Sequence, residues 1–479
     1  MCKKVAFLAD ECHNNQAFYT PVGNPIVFCQ FLVIMSSVVR RVVSGFDPVS
    51  LSMLKTLHLN NVGPASEMHL DLYSRLNVLT GDNGLGKSFL LDMIWWSLTR
   101  TWAADVNANL TSGRKALPHD GKVGSITATF STKTLPDYQF QGTFNRRIQQ
   151  WEVGAGRPAI PGLVFYAMSD GSFAAWDPAR NYWKKRKSDN GLHIPAYVFS
   201  PTEVWDGLHS KDRKSLCNGI ILDWAIWQKE NGKFYEAWKS LLNHFSPPSE
   251  KLCIGPLTSI DVDDSRSMPT LQTSYGQDVP IVHTSSGVRR IVALTYFLLW
   301  GWYEHLRVSK LLGSDRSNQV IFLIDEIESH LHPSWQRVIV PSILNVMKLL
   351  HKEANVQLIT ATHSPLIMSS IEPEFNEATD AWFDIDFEKE NKTVVLQKCN
   401  FEKLGGSDSW LCSNAFDLSS TRSIQGEQLV EKASFLLRQE KPNKNDIQKI
   451  NQELVESLNQ RDPYLIRWRF ICEKEGWLE

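Results

Sequence analysis

Residues 75–88, "RLNVLTGDNGLGKS", decide the fold. Leu76 to Thr80 is an apolar run that reads as a buried strand, and it ends in a glycine. Gly81, Asp82, Asn83, Gly84, Leu85, Gly86, Lys87 and Ser88 then match the glycine-loop pattern whose backbone N–H groups, with the N-terminus of the next helix, wrap phosphates. Apolar residues at helical spacing from Phe89 to Trp102 supply that helix. Strand, loop and helix therefore stand in the order a phosphate cradle needs. In such a loop Lys87 reaches the β- and γ-phosphates, and the Ser88 hydroxyl ligates Mg²⁺.

Two further apolar runs end in polar residues suited to the same ligand. "VIFLI" stops at Asp325 and Glu326, which puts two carboxylates at the carboxyl edge of a buried strand, where doubly wound sheets bind ligands. Asp325 is suited to hold Mg²⁺ and Glu326 to take a proton from an attacking water. "VQLITAT" stops at His363, where a neutral imidazole can sense a γ-phosphate or hold the water. A second anion cradle, Thr284-Ser285-Ser286-Gly287-Val288-Arg289-Arg290, opens a long apolar helix. The same sequence also reads as an ordinary Ser/Thr helix cap, although cations sit badly at a helix N-terminus unless an anion is near. One γ-phosphate cannot occupy two cradles of one chain, so the economical reading brings the second from another copy.

The rest of the 479 residues sets bounds. A hydrophobic fraction of 43% with 21% charged residues is that of a globular chain, and the net charge of −2 gives no global pull toward nucleic acid. A local basic run, "RNYWKKRK" (180–187), interleaves aromatic residues as nucleic-acid grooves do, and also fits a solvated turn. Eight scattered cysteines without a C-x-x-C pair suggest a reduced, cytoplasmic setting. The apolar stretch from Pro25 to Val39 is too short to span a bilayer, so no membrane role is expected. The tail shows three amphipathic segments, the last opening on Asp462-Pro463 as cap and first-turn proline.

"GDNGLGKS", "SSGVRR", "FLIDEIESHLHP" and "ATHS" follow one another in the order of Walker A, signature, Walker B with D-loop, and switch histidine. In this the chain resembles the ABC-type AAA ATPases of the OLD/RecF-like branch, most of all the PtuA family of Septu anti-phage ATPases. Stretches such as "FSPTEVWDG" and "DPYLIRWRFICEKEGW" extend the likeness. The resemblance implies an α/β fold: an ABC-type P-loop NTPase head with a mixed α/β insertion and a small C-terminal helical module. The corresponding boundaries are a poorly ordered extension over 1–52, a first lobe over 53–135, the insertion over 136–278, a second lobe over 279–424 and the tail over 425–479.

It further implies ATP and Mg²⁺ as ligands, and a homodimer or higher oligomer. In that assembly Ser285, Ser286 and Gly287 of one copy face the nucleotide on Lys87 of the other, with Ser329 and His330 in the crossing D-loop. The partner it implies is a separately encoded HNH nuclease, with DNA engaged through the complex and Trp468, Phe470 and Trp477 as candidate docking anchors, which equally read as residues that pack the tail onto the head. The runner-up is a RecF-like DNA-binding repair ATPase. Intrinsic nuclease activity is not expected: the chain after His363 is short for a Toprim domain, and its one Asp-x-Asp, Asp384 with Asp386, lies inside a strand. The family's Q-loop glutamine has no clear counterpart, Gln141 being the nearest guess.

Overall fold

The computed structural model describes residues 54–478 apart from 131–136, 155–160, 182–193, 211, 213, 315 and 440–441. The 1–52 extension and most of the basic run therefore lie outside the described residues. Continuous apolar runs become the centre of an eight-stranded sheet, because a strand covered on both faces has no use for alternation. The central strands are β3 (Leu76–Gly81), β7 (Leu163–Ala167), β10 (Gln319–Ile324) and β11 (Asn355–Ala361). Two more strands, β8 (Phe173–Trp176) and β9 (Tyr197–Phe199), extend one side, and β12 (Asp380–Glu388) and β13 (Thr393–Cys399) extend the other. The order is β13-β12-β3-β11-β10-β7-β8-β9, with β12, β3, β11, β10 and β7 mutually parallel. Their carboxyl ends consequently share one edge.

Alternate residues of each central strand serve different cores: Val320, Phe322 and Ile324 face one, Ile321 and Leu323 the other. The second core is closed by helix α1 (Lys87–Thr99) and by an antiparallel sheet, β2-β1-β4-β5-β6. Its strands are β1 (Leu54–Asn60), β2 (Glu67–Asp71), β4 (Ser125–Phe130), β5 (Tyr138–Asn145) and β6 (Gln150–Val153). The first core is closed by α2 (Gly219–Glu230), α3 (Lys233–Phe245), α4 (Ser286–Leu312) and α5 (Pro333–Leu350). The tail forms a separate small core from α6 (Ile424–Leu437), α7 (Lys444–Ser457) and α8 (Pro463–Lys474), around Leu429, Ile447, Leu454, Leu465 and Trp468. Asp462 caps α8, its side chain accepting from Tyr464 N at 2.8 Å.

The insertion expected over 136–278 is redistributed by the structure. β5 and β6 continue the antiparallel sheet of the first lobe, and β7 to β9 complete the main sheet, with β7 directly beside β10. The run "GLVFYAM" carries the same continuous apolarity as the other central strands, and only its distance along the chain made it read as part of an insertion. Trp468 is corrected too. It is 1% exposed, with Nε1 directed to Asn451 Oδ1 at 3.3 Å, and so holds the tail together, whereas Phe470 is 67% exposed.

Candidate nucleotide site

The glycine loop leaves β3 at Gly81, whose φ of 125° suits glycine, and a Cβ there would meet the Ile385 carbonyl oxygen at 2.1 Å. At its crest Asp82, Asn83 and Gly84 are exposed, with nothing within 4 Å of a Gly84 Cβ position, while Leu85 and Gly86 are half-buried as the loop enters the helix. Lys87 is buried and folded back on the loop, donating to the carbonyls of Gly81 and Asp82, both at 2.8 Å. Burial lowers its pKa, while Asp325, Asp82 and Glu326 pull the other way. Ser88, beside it, is exposed.

At the end of β10, Asp325 is 3% exposed and its Oδ1 has no hydrogen-bond partner among the described residues. Burial raises its pKa, and the hydroxyls of Ser88 and Ser169 oppose the shift. An orphaned carboxylate oxygen with the Ser88 hydroxyl on the same carboxylate is a donor set a hard divalent cation takes, so Ser88 and Asp325 fit Mg²⁺. Glu326 follows with φ 46°, a left-handed turn that a non-glycine residue adopts at a cost of about 1 kcal/mol or more. His363, at the end of β11, is half-buried, and its pKa is lowered by burial and by Lys87. The imidazole is thereby kept neutral near pH 7. Lys87, Asp325, Glu326 and His363 feel one another's fields at one sheet edge.

Two residues of this edge, Glu328 and Ser169, escaped the sequence reading, and a third, Arg290, was read in another role. Glu328 is a half-buried carboxylate that accepts from Thr362 Oγ1 at 2.7 Å and from His363 N at 2.5 Å, tying the turn after Glu326 to the strand that carries the histidine. Ser169, after β7, reaches Asp325 from the far side. Arg290, 9% exposed, donates to the carbonyls of Met168 and Asp325, each at 2.8 Å. That last contact corrects one step of inference, since the second arginine of the pair braces backbone instead of awaiting an anion. Glu328 left a trace as the third carboxylate in "DEIES", and Arg290 as the end of the second cradle; Ser169 and the brace that Arg290 forms depend on β7 lying next to β10.

The second cradle is differently placed. Ser285 caps α4, its hydroxyl accepting from Val288 N at 3.3 Å, so the capping reading holds within the chain. Ser286 and Arg289 border a cavity of about 620 Å³ with Ser169, Asp170 and His330, which no residue of the glycine loop lines. A Cβ on Gly287 would meet the His330 carbonyl oxygen at 2.4 Å, so this glycine is also what lets α4 lie against the turn after β10. Gln141 is exposed in the middle of β5, paired with Thr127 and away from the edge. Asp384 accepts from Thr80 Oγ1 at 2.7 Å, and no cluster of metal-binding side chains occurs among the described residues. Arg180 is committed to Glu304, Asp177 and Tyr197. No described helix is long and apolar enough to cross a membrane.

Comparison with known proteins fits this geometry. A family model for an AAA domain, whose description adds AbiEii toxin and Type IV TA system, matches residues 187–369, and a second AAA-domain model matches 56–151. The "Retron Ec83 probable ATPase" of Escherichia coli is 26% identical over 270 residues, 56% of this chain and 44% of that protein. The "Septu protein PtuA" of Bacillus thuringiensis is 21% identical over 323 residues, 65% of this chain and 72% of that protein. The match thus spans less than half of the retron ATPase. Among solved structures, the SMC head domain from Thermotoga maritima is 13% identical with a TM-score of 0.35, covering 72% of this chain and 99% of that one. With its glycine loop, Asp325, Glu326 and His363 on one edge of a parallel sheet, the chain has the fold of an ABC-type AAA ATPase head and is similar to Septu PtuA and the retron ATPases.

Proposed function

We propose that the chain binds and hydrolyses ATP at this edge, that ATP closes two copies on each other, and that the closed pair controls a separately encoded HNH-type nuclease in bacterial anti-phage defence. The observation that carries the reading is the orphaned Oδ1 of Asp325, on a carboxylate that the Ser88 hydroxyl reaches and whose charge, with that of Glu326, acts on Lys87. Lys87 exchanges its two loop carbonyls for β- and γ-phosphate oxygens, a charge-assisted replacement. Ser88 and Asp325 would hold Mg²⁺, which neutralises charge on the phosphate oxygens when bound. Glu326 accepts the proton of the attacking water, and the neutral His363 orients that water or the γ-phosphate.

Nuclease control is supported by the likeness to Septu PtuA, by the tail with its own small core, and by the exposed Phe470 on it. The test is expression of the chain with its native neighbouring genes, followed by purification, mass spectrometry and a plasmid-cleavage assay. Co-elution of an HNH-type protein whose cleavage responds to ATP is expected. A chain that elutes without such a protein, yet still hydrolyses ATP, would leave the ATPase standing and remove the nuclease. For the ATPase itself, Lys87→Ala should lose nucleotide binding in a filter assay, and retained binding would count against the site.

A further inference from the structure

Helix α1 carries the phosphate loop at one end, and at the other it stops on Arg100 in the left-handed region, φ 59°. An arginine adopts that backbone at a cost of about 1 kcal/mol or more, where glycine would adopt it freely. Its guanidinium lies over the rings of Trp96, 5.5 Å from the centroid, and Phe140. Nη1 is buried without a hydrogen-bond partner, and no carboxylate pairs with the group among the described residues. Burial lowers its pKa to about 9. Nη1 has thus given up water and received no partner among the described residues in exchange.

Arg100 opens on a cavity of about 420 Å³, set off from the phosphate loop and from the cavity beside α4. Thr101 and Gln150 line it with hydrogen-bonding groups, and Trp102 and Trp151 build its walls. Trp96 joins those two indoles, stacked on Trp102 at 5.4 Å and tilted against Trp151 at 5.7 Å. Asp105 stands at the rim, exposed. The volume exceeds that of a bare oxyanion several times over and falls in the range of ligand-sized sites, roughly 300 to 1,000 Å³. A planar fork of donors at one side favours phosphate, and flat aromatic walls favour a flat ring. We propose that this cavity is a second binding site, for a small organic phosphate carrying a planar ring, with Arg100 on the phosphate and the ring against the indoles.

The experiment uses the full chain with Lys87→Ala, so that loss of the phosphate loop and loss of this site are read separately. Thymidine 5′-monophosphate, inorganic phosphate and thymidine are titrated in turn against tryptophan fluorescence, which the indole walls make a local reporter. The monophosphate should quench saturably and bind more tightly than either phosphate or thymidine. Adding Arg100→Gln should weaken it about tenfold or more, Arg100→Lys less, and Gln150→Ala, a change on an exposed strand residue, should weaken it without touching the helix cap. No saturable quenching in the millimolar range overturns the proposal. So does undiminished binding by the Arg100→Gln and Gln150→Ala chains, or inorganic phosphate binding as tightly as the monophosphate.

Discussion

Asp325 shows how a ligand site is a cost to the empty protein. Its carboxyl pKa is raised in the folded chain, by burial above all. Below the ordinary aspartate value both states hold the proton and nothing is lost. As pH rises from there the unfolded chain releases it first, so stability falls until pH passes the folded value. Asp325→Asn removes this penalty. Without ligand its melting temperature should equal or exceed the parent's, with an advantage that widens as pH rises from the ordinary aspartate value toward the folded one, while the increment given by Mg²⁺ with nucleotide disappears. An unliganded variant that melts lower at pH 8 would mean that Asp325 is chiefly a structural acceptor. Glu326→Gln should retain ATP and slow turnover about 10²-fold, roughly 3 kcal/mol of barrier, measured as phosphate release in single turnover. Ordinary turnover would remove Glu326 from the role of base.

At the scale of elements, the turn after β10 is where the separate motifs become one device. Glu328 holds the histidine-bearing strand, Arg290 holds the Asp325 carbonyl, and Gly287 lets α4 press against His330. Glu328→Ala leaves Thr362 Oγ1 and His363 N without their acceptor and should cost about 1 to 3 kcal/mol in a denaturant titration, with a larger loss in turnover than in ATP affinity. Equal losses in both would assign Glu328 to folding alone. The same turn marks the limit of the sequence. Gly81 through Ser88, Asp325, Glu326 and His363 were legible because each stands at the end of an apolar run, and strand ends of a parallel sheet coincide in space. Ser169, and the brace that Arg290 forms, were not, because each exists only once β7 is known to lie beside β10, a long-range pairing that no local pattern encodes. For the same reason 136–278 read as an insertion although it supplies a central strand.

The whole molecule leaves its second cradle without an occupant. Ser286 and the start of α4 border a cavity apart from their own glycine loop, and Ser285 is satisfied as a cap. Within one chain Ser285→Ala should therefore cost about 1 kcal/mol, the price of a cap, and nothing more. If ATP joins two copies, the same substitution also removes a hydroxyl aimed at the partner's nucleotide, and its effect on association exceeds its effect on folding. The Glu326→Gln chain, which holds ATP without consuming it, separates the two cases. With Mg²⁺ and ATP it should scatter light as a dimer or higher oligomer, and as a smaller species when Lys87→Ala is added. Adding Ser285→Ala to Glu326→Gln should weaken ATP-driven association about tenfold while lowering the melting temperature only as a cap does. A Glu326→Gln chain that stays monomeric with ATP bound would end the sandwich reading, and α4 would then begin with a serine for the ordinary reason that helices do.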